Sequence, residues 1–209
     1  MAFPPPELRE IAQEVATLLK KHNATLCVAE TAAGGLISAS LLALPGASAF
    51  YAGGLTLYTL ASRTAFVGWS PADTASYTGP TPAVVRKLAA SAREKLGATY
   101  AVAESGTAGP TGGESRNRTP GYVALAVCWE GGGVEREVET GEKGREGNMV
   151  RFAVEGLRLV RDAVLAREGE GGKGEGGEGE KGGEGEEEGV RLVPGGEKVE
   201  EAAVGAFAS

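Results

Sequence analysis

The chain has 209 residues, of which 42% are hydrophobic, and a formal net charge of −7 at pH 7. Residues 168–209 hold 12 acidic and 4 basic side chains, so residues 1–167 carry a formal charge of +1, which argues against a broad nucleic-acid surface. No apolar run approaches the roughly 18 residues that suggest a membrane span. Cys27 and Cys128 each lie in an apolar run, which is typical of buried cysteines in their reduced form. The first residues also lack the pattern of a secretory signal, so we expect a cytoplasmic protein.

The composition changes sharply near Glu168. From there to Gly189 the chain is almost entirely Glu, Gly and Lys, which cannot bury enough apolar surface to offset the entropy of ordering. We therefore predict one folded domain over residues 1–167 and a disordered acidic tail over residues 168–209. A few apolar residues return after position 190, where a weak docking segment is the alternative.

Helical and strand-like runs alternate along the predicted domain. In chain order they predict a helix over 7–21, a strand over 25–29, a helix over 36–44, a strand over 54–59, a helix over 83–96, a strand over 100–104, a hairpin of strands over 122–129 and 134–140, and a helix over 149–165. Strands that alternate with helices, plus one hairpin, predict an α/β fold: a three-layer α/β/α sandwich around a mostly parallel mixed sheet.

Glycine-rich segments follow two of the predicted strands, at residues 30–35 and 105–113. Loops that leave the carboxyl ends of parallel strands gather at one edge of a sheet, so these two segments should converge. Gly34 and Gly35 precede a helix, whose free backbone N–H groups suit a phosphate, a carboxylate or a developing oxyanion. Steric demands at a strand-to-helix turn also require glycine, and the sequence leaves both interpretations open.

The order of these segments and their amino-acid sequences resemble those of the CinA C-terminal family over nearly all of residues 7–165. The family's Ala-Glu-Ser-x-Thr-Gly-Gly resembles residues 29–35, its Pro-Gly-Ala-Ser matches residues 45–48, and its Gly-x-Ala-Gly-Pro-x-Gly-Gly matches residues 106–113. Tyr58 falls where the family has the Tyr of Tyr-Ser-Asn-Glu-x-Lys. The resemblance implies an α/β/α fold, a homo-oligomer, and active members that hydrolyse the carboxamide of nicotinamide mononucleotide to release ammonia.

In the active members the Ser of the first motif is the nucleophile and the later Lys is the proposed base. Here Thr31 stands at the nucleophile position and Arg63 at the base position, and Ala33 replaces the motif's Thr. The extra methyl of a threonine crowds the approach to a carbonyl, and a guanidinium stays protonated at physiological pH. Arg63 either pairs with an anionic group of a ligand or is a solvated surface residue.

The resemblance also implies ligand contacts from Ser105, Gly106, Arg118 and Arg145, besides Tyr58 and the two glycines of the first motif. Ser105 either contacts substrate or caps its own turn, and Arg118 either contacts ligand or is a solvated loop residue. The family has a Gly-Asp-Arg motif whose Arg is a phosphate ligand, and the segment around Arg145 matches this motif only in part. Glu30 either orients the site or caps the following helix.

Three functions stay open on the sequence. The first is an amidase acting on a nicotinamide-type nucleotide, with Thr31 as nucleophile. The second, favoured by the simultaneous loss of Ser, Thr and Lys, is a catalytically silent binding or regulatory protein. The third is hydrolysis of another amide or nucleotide, with Glu30 or a water replacing the missing amine. His22 is the only histidine and ends a helix, so we predict neither a Ser-His-Asp site nor a metal or other cofactor.

Overall fold

The computed structural model describes residues 3–171 and 191–194 of the chain. Its helices and strands are α1 (Pro6–Lys21), β1 (Leu26–Glu30), α2 (Leu36–Leu42), β2 (Tyr51–Thr56), α3 (Leu60–Val67), α4 (Pro71–Ser76), α5 (Pro82–Leu96), β3 (Tyr100–Gly106), β4 (Tyr122–Trp129), β5 (Gly132–Glu139), α6 (Arg145–Gly171) and β6 (Arg191–Pro194). None of these helices is both long and apolar enough to cross a bilayer.

The described strands form one mixed sheet in the order β2-β1-β3-β4-β5-β6. Strand β1 runs parallel to β2 and β3, whereas the pairings β3–β4, β4–β5 and β5–β6 are antiparallel. The α/β fold with a mixed sheet is confirmed, but the expectation of a mostly parallel sheet is wrong. Strands β3, β4 and β5 follow one another without an α-helix between them, so each returns antiparallel to the one before, and β6, which follows α6, also pairs antiparallel with β5.

The two faces of the sheet build two cores. Side chains alternate along each strand, so Val28 points to the face covered by α1, α2 and α6, and Ala29 to the face covered by α5. The α5 face of the sheet is lined largely by small residues, namely Cys27, Ala29, Ala101, Ala103, Ala124, Ala126 and Cys128. These short side chains allow α5 to pack close to the strands, which completes the predicted three layers.

Residues 51–76 differ most from the predicted elements. Strand β2 begins at Tyr51 and ends at Thr56, and the short helices α3 and α4 follow it. The Thr59 side chain accepts a hydrogen bond from the Ser62 N–H at the start of α3, and Ser70 and Asp73 form a capping box at the start of α4. These caps stabilise helices too short to show a clear apolar period.

The predicted disordered tail overlaps two described elements. Residues 168–171 continue helix α6, which the sequence predicted to end at 165, and residues 191–194 pair with β5 as strand β6. For these residues the prediction of disorder is wrong. Residues 172–190 and 195–209, which make up the rest of the predicted tail, lie outside the described residues.

Candidate functional site

The two glycine-bearing segments meet at the carboxyl edge of β1 and β3, as predicted. The Thr31 hydroxyl donates a hydrogen bond to Ser105 Oγ over 3.1 Å, and both side chains are buried. This contact joins the residue after β1 to a residue of β3. The sequence motifs that carry the predicted nucleophile and the predicted substrate contact therefore form one local structure.

Glu104, which the sequence reasoning missed, lies beneath the turn that carries Thr31. Its Oε2 accepts hydrogen bonds from the backbone N–H groups of Thr31 (3.1 Å) and Ala33 (2.9 Å). Its Oε1 is buried without a hydrogen-bond partner in the described part of the chain. Burial raises the pKa of Glu104 to about 7, although the donated hydrogen bonds oppose this shift. One signal was visible in the sequence, because Glu104 is a lone acid in an otherwise apolar strand.

Glu30 caps helix α2, which decides between its two predicted roles. Its carboxylate accepts hydrogen bonds from the N–H groups of Gly35 (3.0 Å), Ile37 (2.9 Å) and Ser38 (2.9 Å), and from the Ser38 hydroxyl (2.6 Å). The Gly35 N–H is therefore already occupied, and the prediction that it offers a free oxyanion donor is wrong. The positive end of this short helix is matched by the protein's own acid.

Glycine is required at positions 34 and 35 for conformational reasons. The backbone φ angles are +70° at Gly34 and +101° at Gly35, in the region that L-residues with a side chain rarely adopt. A Cβ on Gly34 would also lie 2.9 Å from Met149 Cε. These observations support the steric interpretation of the first motif.

Arg63 is buried, so its interpretation as a solvated surface residue is wrong. The side chain lies on α3, is 3% exposed, and donates a hydrogen bond from Nε to the Leu57 carbonyl over 3.3 Å. Its guanidinium carbon lies 5.0 Å from the ring centre of Trp69 and 4.8 Å from that of Tyr77. The guanidinium thus packs against two neighbouring aromatic rings, whose centres are 5.7 Å apart, and is bonded to a main-chain carbonyl.

A cavity of about 310 Å³, here called the edge cavity, opens beside the 105–113 loop. Gly106, Thr107, Gly112, Arg118 and Tyr77 are among the residues that line it. The Arg118 side chain is exposed and donates a hydrogen bond from Nε to the Thr78 carbonyl over 2.9 Å. Its position on the cavity wall agrees with the ligand-contact interpretation.

Tyr58 and Arg145 lie together and are not among the residues that line the edge cavity. Arg145 donates one hydrogen bond to the Gly109 carbonyl (2.9 Å) and another to the Tyr58 hydroxyl (3.3 Å). Both side chains are exposed. The structure thus pairs two of the predicted contact residues beside the loop that carries Gly109.

Within the described residues, no group of three or more His, Cys, Asp or Glu side chains is placed to hold a metal ion.

Comparison with known proteins identifies the family. The sequence profile described as "CinA C-terminal domain" matches residues 8–164. The chain belongs to the CinA C-terminal domain family. A "CinA-like protein" of Shewanella piezotolerans is 30% identical over 162 residues, which cover 75% of this chain and 38% of that protein. Another, of Prochlorococcus marinus, is 36% identical over 151 residues, covering 72% of this chain and 34% of that protein.

These CinA relatives are longer proteins, and this chain spans less than half of their length. Solved structures cover the same CinA domain. The competence/damage inducible protein CihA from Agrobacterium tumefaciens matches with a TM-score of 0.72 and 26% identity, over 79% of this chain and 99% of that one. A CinA superfamily protein from Klebsiella pneumoniae matches with a TM-score of 0.71 at 23% identity, over 76% of this chain and 98% of that one. The predicted family and α/β fold are confirmed.

Proposed function

We propose that this CinA domain binds a nicotinamide-type nucleotide in the edge cavity and does not hydrolyse it by Ser–Lys chemistry. The observation that carries the proposal is the environment of Arg63, whose permanently charged group is buried against the rings of Trp69 and Tyr77. A guanidinium cannot accept a proton at physiological pH. The residue at the base position therefore cannot activate a hydroxyl.

The Thr31 hydroxyl has no strong base among its hydrogen-bond partners. Its proton points to Ser105 Oγ, a weak base, over 3.1 Å. The Glu30 carboxylate accepts four hydrogen bonds at the start of α2, so it is committed to the fold. An unactivated hydroxyl is a poor nucleophile, and the β-methyl of threonine adds steric hindrance to its attack.

The edge cavity supplies the features that nucleotide binding needs. Its volume of about 310 Å³ lies at the lower end of the range of small-molecule sites. Gly106 and Gly112 are part of its wall, and the exposed guanidinium of Arg118 supplies positive charge for a phosphate. These features support binding and do not require the lost catalytic pair.

A second candidate function is slow amide hydrolysis in which Glu104 replaces the missing amine. Its carboxyl group lies directly under the Thr31 turn, its Oε1 has no partner among the described residues, and its pKa is raised to about 7. A pKa near the working pH suits a general base. This route requires activity that rises as pH increases through about 7 and that is lost in Glu104→Gln.

The two candidates are separated by measuring binding and ammonia release on the same protein. We expect calorimetric binding of nicotinamide mononucleotide by the wild type without ammonia release, and binding within about twofold of this in Thr31→Ala. Release by the wild type that disappears in Thr31→Ala would establish the enzyme instead. The absence of binding together with the absence of release would refute both candidates.

A double variant, Thr31→Ser with Arg63→Lys, tests whether the residues at these two positions prevent hydrolysis. It restores the serine and the lysine that the family's active members carry. Ammonia release from this variant, but not from the wild type, would show that these two positions silence the site. Arg151→Gln, on the far face of the sheet in α6, is the matched control and should behave like the wild type.

A further inference from the structure

A second cavity, of about 280 Å³, lies between α4 and α5 and is here called the outer cavity. Trp69, Tyr77 and Lys87 are among the residues that line it. Tyr77 and Gly79 line both cavities, so the outer cavity and the edge cavity are neighbours. Arg63 does not line the outer cavity itself, but both aromatic residues that contact its guanidinium, Trp69 and Tyr77, do.

Two buried hydrogen-bond donors beside the outer cavity have no acceptor. Arg63 Nη1 and Trp69 Nε1 are both buried without a hydrogen-bond partner in the described part of the chain. They belong to one stacked pair, in which the guanidinium carbon lies 5.0 Å from the indole ring centre. Buried donors are nearly always paired, and leaving one unpaired destabilises the fold, more so for a charged group. The pair therefore lacks an acceptor group.

The buried charge of Arg63 also lacks a counter-ion. Within the described residues no carboxylate lies within ion-pair distance of Arg63, and the one hydrogen bond of its side chain goes to the neutral Leu57 carbonyl. The acid on α4, Asp73, is bonded to Lys87 Nζ (2.6 Å) and to the Ser70 hydroxyl (2.7 Å). Stacking against two rings offsets part of the cost of burying a cation, but an anion offsets it more fully.

We infer that Arg63 and Trp69 form an oxyanion subsite, which receives a carboxylate or phosphate oxygen of a ligand that enters the outer cavity. A guanidinium and an indole N–H are both donors only, so an oxygen acceptor satisfies both. Lys87 also lines the cavity, but Asp73, which lines it too, neutralises its charge, so the unpaired donors of Arg63 and Trp69 carry the inference. The identity of the ligand rests on the proposed function, whereas the subsite itself rests on the two unpaired donors.

The indole N–H resonance of Trp69 reports on this subsite directly. The chain contains two tryptophans, and the other, Trp129, packs against Tyr100 and Arg167, so its resonance is an internal control. We expect the Trp69 resonance of the full chain to shift saturably with nicotinic acid mononucleotide, while that of Trp129 stays in place. Titration with nicotinamide mononucleotide and with inorganic phosphate then identifies the source of the oxygen.

A carboxylate source predicts that the acid binds about tenfold or more tightly than the amide, since one charge-assisted hydrogen bond has roughly this effect. A phosphate source predicts similar shifts with both nucleotides and a shift with inorganic phosphate alone. In Arg63→Gln we expect affinity to fall by about tenfold or more, whereas Arg151→Gln keeps it. The comparison of titrants on the wild type remains decisive if the Arg63 variant does not fold.

The inference is overturned if no titrant moves the Trp69 resonance, or if a folded Arg63→Gln responds as the wild type does. Calorimetric binding of either nucleotide without a Trp69 shift would remove the subsite and leave the proposed function standing. A Trp69 shift with inorganic phosphate, in a protein that binds neither nucleotide, would keep the subsite and refute the proposed function.

Discussion

The buried carboxylate of Glu104 accepts a hydrogen bond from the backbone N–H of Thr31 over 3.1 Å, which ties the end of β3 to the turn after β1. Glu30 holds the other side of the same turn by capping α2. Two acids of the protein therefore occupy backbone donors that a ligand anion would otherwise use. The positive groups left for a ligand belong to arginine side chains, in particular Arg63 and Arg118.

The raised pKa of Glu104 makes the stability of the fold depend on pH. Folded Glu104 holds its proton up to a pH of about 7, whereas its ordinary pKa is 4.5. Its contribution to the free energy of unfolding is therefore complete below about pH 4.5 and is lost as pH rises through about 7. Between pH 5 and pH 8 this loss amounts to about 2 to 3 kcal/mol. Urea unfolding at a series of pH values measures it.

Glu104→Gln removes the titration while keeping an oxygen for the turn's N–H groups. The difference between the free energies of unfolding of this variant and the wild type should grow in favour of the variant as pH rises from 5 to 8. Glu94→Gln, an exposed position on α5, controls for the loss of a surface charge. A difference that stays constant across this range would show that Glu104 does not keep its proton in the fold.

The cap formed by Glu30 should be important for stability. In Glu30→Gln the side-chain NH₂ faces donors of Gly35, Ile37 or Ser38, which cannot accept its protons. We expect the free energy of unfolding to fall by about 2 kcal/mol or more, measured in urea at pH 8. The exposed variant Glu94→Gln should stay within about 0.5 kcal/mol of the wild type. Equal stabilities of the two variants would contradict the capping role.

The parts of this site that could be predicted from sequence are those set by local pattern. Thr31 and Ser105 each follow an apolar strand, so their convergence follows from parallel pairing of β1 and β3. Arg63 was predicted as a site position only from the family motif, because α3 is too short to show which of its faces is buried. Its aromatic partners Trp69 and Tyr77 come from the segment after α3, and only tertiary packing brings them to the guanidinium.

The hydrogen-bond roles of the acids depended on geometry that the sequence does not contain. Glu30 satisfied two interpretations equally, and the direction of its carboxylate over α2 decided between them. The sequence shows Glu104 as a lone acid in a strand, but its role as an acceptor for the Thr31 turn depends on the placement of that turn above it. In the same way, the antiparallel pairing of β3, β4 and β5 follows from the lack of an α-helix between these strands, which composition alone does not reveal.

Gly106 should be irreplaceable for reasons of space. An added Cβ would lie 2.7 Å from the Tyr122 carbonyl oxygen and 2.7 Å from a ring carbon of Phe152. We therefore expect Gly106→Ala to lower the free energy of unfolding by about 2 kcal/mol or more, because a main-chain oxygen cannot move away easily. Gly131→Ala is the comparison, since position 131 has a φ of +77° but no neighbour within 4 Å.

Strain alone should cost Gly131→Ala about 1 to 2 kcal/mol. Both variants are measured by urea unfolding at one pH. If Gly106→Ala lowers the free energy of unfolding less than Gly131→Ala does, then the close approach at the end of β3 does not control the packing of the 105–113 loop.

The two arginines predicted to contact ligand, Arg118 and Arg145, should differ in their effect on ligand affinity. Arg118 lines the edge cavity, whereas Arg145 is bonded to the Gly109 carbonyl and to Tyr58 outside it. We expect Arg118→Ala to weaken binding of nicotinamide mononucleotide by about tenfold, and Arg145→Ala by about threefold or less. Calorimetry at 50 and 200 mM salt should also show a smaller salt dependence for Arg118→Ala, because a screened charge contact has been removed. If Arg145→Ala weakened binding more than Arg118→Ala, the nucleotide phosphate would bind on the Tyr58 side of the loop and not in the edge cavity.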